Sequence, residues 1–313
     1  MKITMLSVKD YAGSGQKLCD AIKRHTDIDI DFYCQLPLKK YGHTGGKLIG
    51  KENRKDIQER IDTSDIIHIK GDWPAKNFYC GFHIGHKPIV QTVGGSFFRK
   101  VKYGGLGKYT PADYKLPVLK TAFTPDLCYP EYSGVWTPHP IDSENKPKLG
   151  YALGENIFLH CPTHRIRKNT TFFIELMNVM RERNKIDFEA SIIENVSQAQ
   201  VLSRIRSAKI FFDQFRVGFY GNAALEAMQY GIPTACWISK MAIEQAGGLL
   251  DRCPVITDLE RNVTIWERMI YDVLENNYND LSERTKKWCT EVHGYGAVAK
   301  MWTLLYQKLL TLS

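Results

Sequence analysis

Three short segments of this 313-residue chain concentrate residue types that handle anions and hydroxyls. In HCPTHRIRKNTTFF (160–173), Arg165, Arg167 and Lys168 stand where a strand-like run gives way to a helical one. A guanidinium offers phosphate oxygens a planar fork and an ammonium offers a point charge, so the set suits a diphosphate. Taken alone, the segment reads as well as a solvated basic loop. In DQFRVGFYGNAALEAMQYGIP (213–233), Gly218 and Gly221 precede a helix expected to start near Asn222, and Glu226 falls in its first turns. Glycines ahead of a helix let N–H groups meet a phosphate, and a carboxylate one turn in accepts hydrogen bonds from sugar hydroxyls. Gly231-Ile232-Pro233 then ends the helix and opens a strand. The third segment is a strand–AGSG–helix unit over 2–22, where Gly13 and Gly15 let the backbone approach a ligand. A complete G-x-G-x-x-G and a P-loop lysine are both absent, so a plain tight turn explains it equally.

Such segments need a scaffold that gathers strand ends and helix starts. KITMLS (2–7), DIDIDFY (27–33), DIIHI (65–69) and PIVQTV (88–93) are β-rich, and NRKDIQERI (53–61) between two of them is helical in character. Strands separated by helices predict a parallel α/β sheet. The pattern weakens after Gly94: FFRKVKYGGLGKYTPADYK (97–115) predicts a long functional loop, or short helices beside a cleft. IDSENKPKLG (141–150) is polar, carries Pro147 and is the expected linker. Alternation then restarts. NIFLH (156–160), FEASII (188–193), KIFFD (209–213) and IPTACWI (232–238) read as strands, with TFFIELMNVMRER (171–183), SQAQVLSRIRS (197–207) and NAALEAMQY (222–230) as helices. Val298, Met301, Trp302, Leu305 and Leu309 fall at helical spacing and predict a packing helix. The chain therefore predicts two Rossmann-like domains, 1–145 and 150–296, with the terminal helix 297–313 packing back on the first.

Lys and Arg number 42 against 34 Asp and Glu, a formal net charge of +8. That excess fits a polyanionic partner, an anionic lipid surface or a small anionic substrate, and equally an ordinary soluble protein. With 24 Gly and 13 Pro the composition excludes collagen-like and low-complexity chains. No run reaches the ~18 apolar residues of a membrane helix, and MKITMLSVKDYAG reads as strand and turn rather than signal segment. A cytoplasmic protein without a stable membrane span is expected. The eight cysteines include no C-x-x-C pair, which predicts reduced, mostly buried thiols. Cys80, His83 and His86 have a spacing that suits a metal but no evident fourth ligand. A polar loop or helix is the plainer reading there, and no metal site or cofactor is expected.

HCPTHRIRKNTTFF together with DQFRVGFYGNAALEAMQYGIP resembles the donor half of retaining GT-B glycosyltransferases, the glycogen-synthase-like group called family 4. DIIHIKGD (65–72), PIVQTVGGSFFR (88–99) and TPDLCYPEYSGVWTPHPID (124–142) are similar to its acceptor-side strands and crossover, and HGYGAVAKMWTLLYQKLL (293–310) to its closing helices. The resemblance implies two Rossmann-like domains facing each other across a cleft. It implies that Arg165 and Lys168 hold the donor diphosphate and act on the leaving group, and that Glu226 binds a donor hydroxyl, that of the nucleotide ribose. Gly218, Gly221 and Asn222 would line the donor, Ile193 and Glu194 would border its base, and Gly13 and Gly15 would close on its sugar. His68 and Asp72, polar groups at a strand end, are the further catalytic candidates. Gly94, Gly95, Arg99, Lys100 and Lys102 fall on the acceptor side. Two positions depart from the family pattern: Gly218 stands where the first acid of its Glu-x₇-Glu motif falls, and Gly94-Gly95 where His-Gly is frequent.

The function implied is sugar transfer with retention from a nucleotide-sugar donor, a UDP-sugar in the favoured case, to a lipid-linked or surface glycan. Two basic side chains can neutralise the diphosphate, and no DxD-type acidic pair is placed for a metal. A second acceptor is DNA carrying a hydroxylated (hydroxymethyl) pyrimidine. For it speak Arg99, Lys100, Lys102, Lys108, Lys115 and Lys120, interleaved with Phe97, Phe98, Tyr103, Tyr109 and Tyr114, because such a segment can track phosphates and stack bases. A third possibility is a non-catalytic sugar-nucleotide or glycan-binding protein, motivated by Gly94 and Gly218.

Overall fold

The computed structural model describes residues 1–36, 45–71, 78–94, 117–128, 132, 134–144, 156–183 and 186–312. These form two compact units, Met1–Asp142 with Tyr295–Ser313, and Ser143–Gly294. The first unit contains β1 (Lys2–Lys9), α1 (Ser14–His25), β2 (Asp29–Leu36), β3 (Lys47–Leu48), α2 (Arg54–Asp62), β4 (Ile66–Lys70), β5 (Phe78–Tyr79), β6 (Phe82–His83), β7 (Ile89–Val93), β8 (Val118–Ala122) and β9 (Val135–Trp136). Seven strands pair in the order β3-β2-β1-β4-β7-β8-β9, parallel throughout. The chain first adds strands on one side of β1 and then crosses to the other, so the strand order reverses between β1 and β4.

A parallel sheet must be covered on both faces, and the alternation within β1 supplies both. Ile3 and Met5 join Leu18 and Ile22 of α1 and Phe32 of β2 on one face. Leu6 joins Ile57 and Ile61 of α2 with Ile67, Ile69 and Ile89 on the other. β5 and β6 form an antiparallel hairpin whose turn residues Cys80 and Gly81 have φ of 52° and 79°. Cys80 and His83 thus belong to a tight hairpin rather than to a polar loop or helix. Among the described residues no group of three or more His, Cys, Asp or Glu is placed to hold a metal ion.

The second unit contains β10 (Ile157–His160), α3 (Arg165–Lys168), α4 (Thr170–Arg183), β11 (Glu189–Ile192), α5 (Gln198–Ser207), β12 (Ile210–Phe212), α6 (Asn222–Met228), β13 (Thr234–Ala235), α7 (Lys240–Ala246), α8 (Val263–Asp272) and α9 (Tyr278–Trp288). Its four parallel strands run β11-β10-β12-β13, again with a reversal, here between β10 and β12. Phe158 and Phe212 meet Phe173, Leu176, Met177 and Met180 of α4 and Trp266 and Ile270 of α8 in its core. The strand expected over 232–238 shortens to β13 because its next amides leave the sheet: Cys236 N–H donates to the Ile256 carbonyl and Trp237 N–H to that of Gln214. Among the described residues no helix is long and apolar enough to cross a membrane.

The last helix, α10 (Tyr295–Thr311), belongs to the first unit. Val298, Trp302, Tyr306 and Leu309 enter the core beside α1, and His68 ties them to the middle of the sheet. Its Nδ1 lies 2.7 Å from Tyr306 Oη and its Nε2 2.7 Å from Thr92 Oγ1, and the Trp302 ring sits 4.8 Å from the imidazole. Burial pushes the His68 pKa down to about 3, with Lys70 adding to the effect. His160 plays the corresponding part in the second unit, against the Phe212 carbonyl and Thr170 Oγ1, and burial pushes it down to about 4.

Both histidines are neutral when folded and titrate near pH 6.5 when unfolded, so the unfolded chain takes up protons first as pH falls. The stability they contribute is complete above about pH 6.5 and is lost towards pH 4, at about 1.4 kcal/mol per pH unit for each. Denaturant unfolding at a series of pH values checks this: His68→Gln should cost stability near neutrality and flatten the acid limb.

Candidate functional site

In an open α/β sheet, ligands settle at the carboxyl ends of the strands where the order reverses. In the second unit that point is framed by the loops after β10, β11 and β12, and these loops carry the residues singled out in the sequence. Lys168 ends the short helix α3. Its N–H donates to the His164 carbonyl and its own carbonyl accepts from Phe215 N–H, while Asn169 at φ 53° separates α3 from α4. The backbone of Lys168 is therefore fixed between two loops. Its Nζ bonds Asp213 Oδ1, with the lysine side chain 12 % and the aspartate side chain 1 % exposed. Asp213 Oδ2 accepts the Gly221 N–H, so one carboxylate joins the loop after β10 to the start of α6.

Gly221 fits closely against the Lys168–Asp213 pair. A Cβ there would lie 3.2 Å from Lys168 Nζ and 3.3 Å from Asp213 Oδ2. Its N–H is taken by Asp213 and is not open to a ligand as the sequence suggested, and as the N-cap residue of α6 it supplies no side-chain cap. Glu226, buried in α6, accepts a 2.7 Å hydrogen bond at Oε1 from Gln198 Nε2 of α5. Cys161 stands among these groups: burial pushes its thiol up to about 12, and Asp213, Lys168 and Glu226 all act on it electrostatically. Arg165 sits at the exposed rim. Its Nε and Nη2 bond Glu194 Oε2 at 2.9 and 2.6 Å, and this contact holds the Glu194 carboxyl below its usual range. Glu194 is thus first of all the partner of Arg165, and Ile193 N–H is spent on the His160 carbonyl.

The first unit builds a similar device where its strand order reverses. Asp10, directly after β1, accepts Gly15 N–H at 2.8 Å and Gln16 N–H at 3.1 Å, and Lys70 at the end of β4 donates to it at 2.8 Å. Gly13 caps α1 at φ 64°. Gly15 has a packing reason, since a Cβ there would lie 2.6 Å from the Phe32 ring. His68 stands in the middle of β4 with both ring nitrogens bonded, fully buried. It is a core residue and not the strand-end group expected. Asp72, Gly95, Arg99, Lys100 and Lys102 lie outside the described residues.

The two glycines that depart from the family pattern differ. At Gly94 an added Cβ would, among the described residues, meet Phe123 alone, at an ordinary contact distance of 3.8 Å. At Gly218 φ is +83° and a Cβ would stand 2.9 Å from Ser239 Oγ, so the backbone itself excludes a glutamate. Asp10, Lys70, Gln198 and Asp213 escaped the sequence reading. The signal for the two aspartates was present: each follows an apolar strand directly and precedes a glycine-bearing turn.

No family model matches this chain, and no curated protein matches it. Solved structures match over its whole length. A sucrose-phosphate synthase from Thermosynechococcus elongatus superposes with a TM-score of 0.60 at 11% identity, covering 100% of both chains. An alpha-glucosyltransferase in complex with UDP-glucose and DNA containing an abasic site gives 0.63 at 13% identity, over 98% of this chain and 99% of that one. The lipopolysaccharide outer core galactosyltransferase WaaB gives 0.58 at 11% identity, over 98% and 100%. With its two parallel sheets, this chain has the GT-B fold of these glycosyltransferases.

Proposed function

We propose that this chain transfers a sugar, with retention, from a nucleotide-sugar donor, a UDP-sugar in the favoured case, to a lipid-linked or surface glycan. The donor falls to 150–296 and the acceptor to 1–145 with the terminal helix 297–313. The observation that carries this is the convergence of Lys168, Glu226 and the start of α6 around Cys161, with Arg165 at the rim. Breaking the anomeric C–O bond leaves its electron pair on the diphosphate, so cations placed there stabilise the transition state more than the ground state. Lys168 supplies a fixed charge and Arg165 an exposed, movable one. Glu226 is suited to a ribose hydroxyl as a buried acceptor oriented by Gln198.

DNA is the second acceptor reading. It is favoured by the +8 net charge and by the basic, aromatic segment 97–120, and one structural match is an enzyme bound to DNA. A non-catalytic binder is disfavoured by the investment in a diphosphate site.

Titration calorimetry with UDP, GDP and ADP is expected to show binding of at least one. Arg165→Ala and Lys168→Ala should each weaken it about tenfold to a hundredfold, since a charge-assisted hydrogen bond contributes about 1.5–3 kcal/mol. Unchanged affinity in both variants would remove the clamp. The two should part in stability: Arg165→Ala unfolds like the wild type because its ion pair is exposed, whereas Lys168→Ala strands a buried carboxylate and costs about 3 kcal/mol. Glu226→Gln should keep the fold and lower donor affinity or turnover. Slow release of free sugar from the donor separates an enzyme from a binding protein.

The acceptor is decided by a salt series with duplex DNA and with anionic liposomes. DNA binding should fall with a slope of about −0.9 per phosphate contact, and joint replacement of Lys100, Lys102 and Lys108 by Ala should flatten it. Association with neither, even at low salt, leaves a soluble glycan.

A further inference from the structure

The donor site holds more negative charge than a diphosphate site calls for. Two of its cations are already paired, Arg165 with Glu194 and Lys168 with Asp213, and the buried Glu226 adds a third carboxylate. An incoming diphosphate therefore competes with carboxylates of the protein for each cation.

The two pairs differ in how they can yield. Arg165 and Glu194 have side chains 58% and 25% exposed. Water and salt screen that pair, and the guanidinium can turn onto a phosphate without leaving a buried charge behind. Asp213 cannot withdraw. Its carboxylate is 1% exposed, Oδ2 is held by the Gly221 N–H, and its backbone N–H is bonded to the Ala235 carbonyl at 2.9 Å. Lys168 is pinned through its backbone on both sides, and the bare Cα of Gly221 lies against the pair. Lys168 must therefore share its ammonium between Asp213 and the phosphate, and two negative groups face each other where screening is weak.

Building on the nucleotide-sugar reading, we propose that Asp213 sets the affinity of the donor site: it is a resident counter-anion on Lys168 that keeps nucleoside diphosphate from being held tightly and so speeds its release after transfer. A carboxylate that merely supported the loops would weaken every ligand when replaced. A counter-anion has the opposite signature, because its loss tightens ligands in proportion to their phosphate charge.

The experiment is titration calorimetry of wild type, Asp213→Asn and Glu194→Gln with UDP, GDP and ADP, and then with the monophosphate and the nucleoside of whichever base binds. Asp213→Asn is expected to bind the diphosphate about tenfold tighter or more, to gain less for the monophosphate, to leave the nucleoside unchanged, and to keep its gain in high salt. Glu194→Gln should gain less and lose that gain in high salt. In steady-state transfer with the matching nucleotide sugar, KM and kcat of Asp213→Asn should fall together as product release slows. Asp213→Ser retains a hydroxyl acceptor for the Gly221 amide and serves if the asparagine variant does not fold. Diphosphate affinity unchanged or weakened overturns the proposal, as does an equal gain for the nucleoside. Failure of both variants to fold assigns Asp213 to the scaffold and also overturns it. Wild-type protein that binds none of the three diphosphates removes the nucleotide-sugar reading itself, a result distinct from the others because it needs no variant.

Discussion

Each of the two parallel sheets reverses its strand order beside a lysine paired with a buried aspartate, and the geometry of both glycine turns depends on it. A reversal opens a crevice at the carboxyl ends of the strands, and the loops there have backbone amides that neither sheet nor helix satisfies. In the first unit Asp10 takes two such amides at the start of α1 and is balanced by Lys70. In the second, Asp213 takes the amide of Gly221 and is balanced by Lys168. A buried ion pair is not the cheapest way to hold a loop, since desolvation offsets much of its attraction and an apolar pair of similar size is often no less stable. What the charged version adds is an ammonium fixed at a strand end, with donor capacity left over.

That constraint bears on how far family resemblance reaches into the second unit. Gly218 sits in a left-handed conformation against Ser239, its carbonyl accepting the Ser239 N–H at 3.0 Å. The loop is built around the absence of a side chain there. Asp213 and Glu226 are buried carboxylates that stand beside this loop and the start of α6. Gly94 has no positive φ and, among the described residues, no close neighbour for a Cβ. One departure is written into the backbone, and the other is not.

Much of the scaffold was legible because it is local. Alternation in KITMLS and DIIHI, the apolar face of 171–183 and the Gly-Ile-Pro break are each contained in a few residues, and the structure places β1, β4, α4 and the end of α6 accordingly. Lys168 and Glu226 were legible for the same reason, standing beside a helix start and a glycine turn. The ion partners were not. Lys168 and Asp213 are 45 residues apart and Lys70 and Asp10 are 60 apart, and only the crossover from one side of the sheet to the other makes them neighbours. His68 shows the converse failure. A histidine inside DIIHI is locally ambiguous, and the group that decides its role, the Tyr306 hydroxyl, lies 238 residues along the chain.

In the proposed donor site, Arg165 and Lys168 divide the electrostatic work by exposure. A charge that must stabilise a transient anion is most effective when it needs no reorganisation at the moment of reaction, which favours a partly buried and pinned group such as Lys168. A charge that must admit and release a polar ligand is most effective when it can exchange partners with water at small cost, which favours an exposed fork such as Arg165. Pinning is helped by a counter-ion, because a neighbouring carboxylate offsets part of the cost of taking an ammonium out of water. The aspartate that makes Lys168 a reliable point charge is therefore the same group that limits how firmly Lys168 can hold anything else.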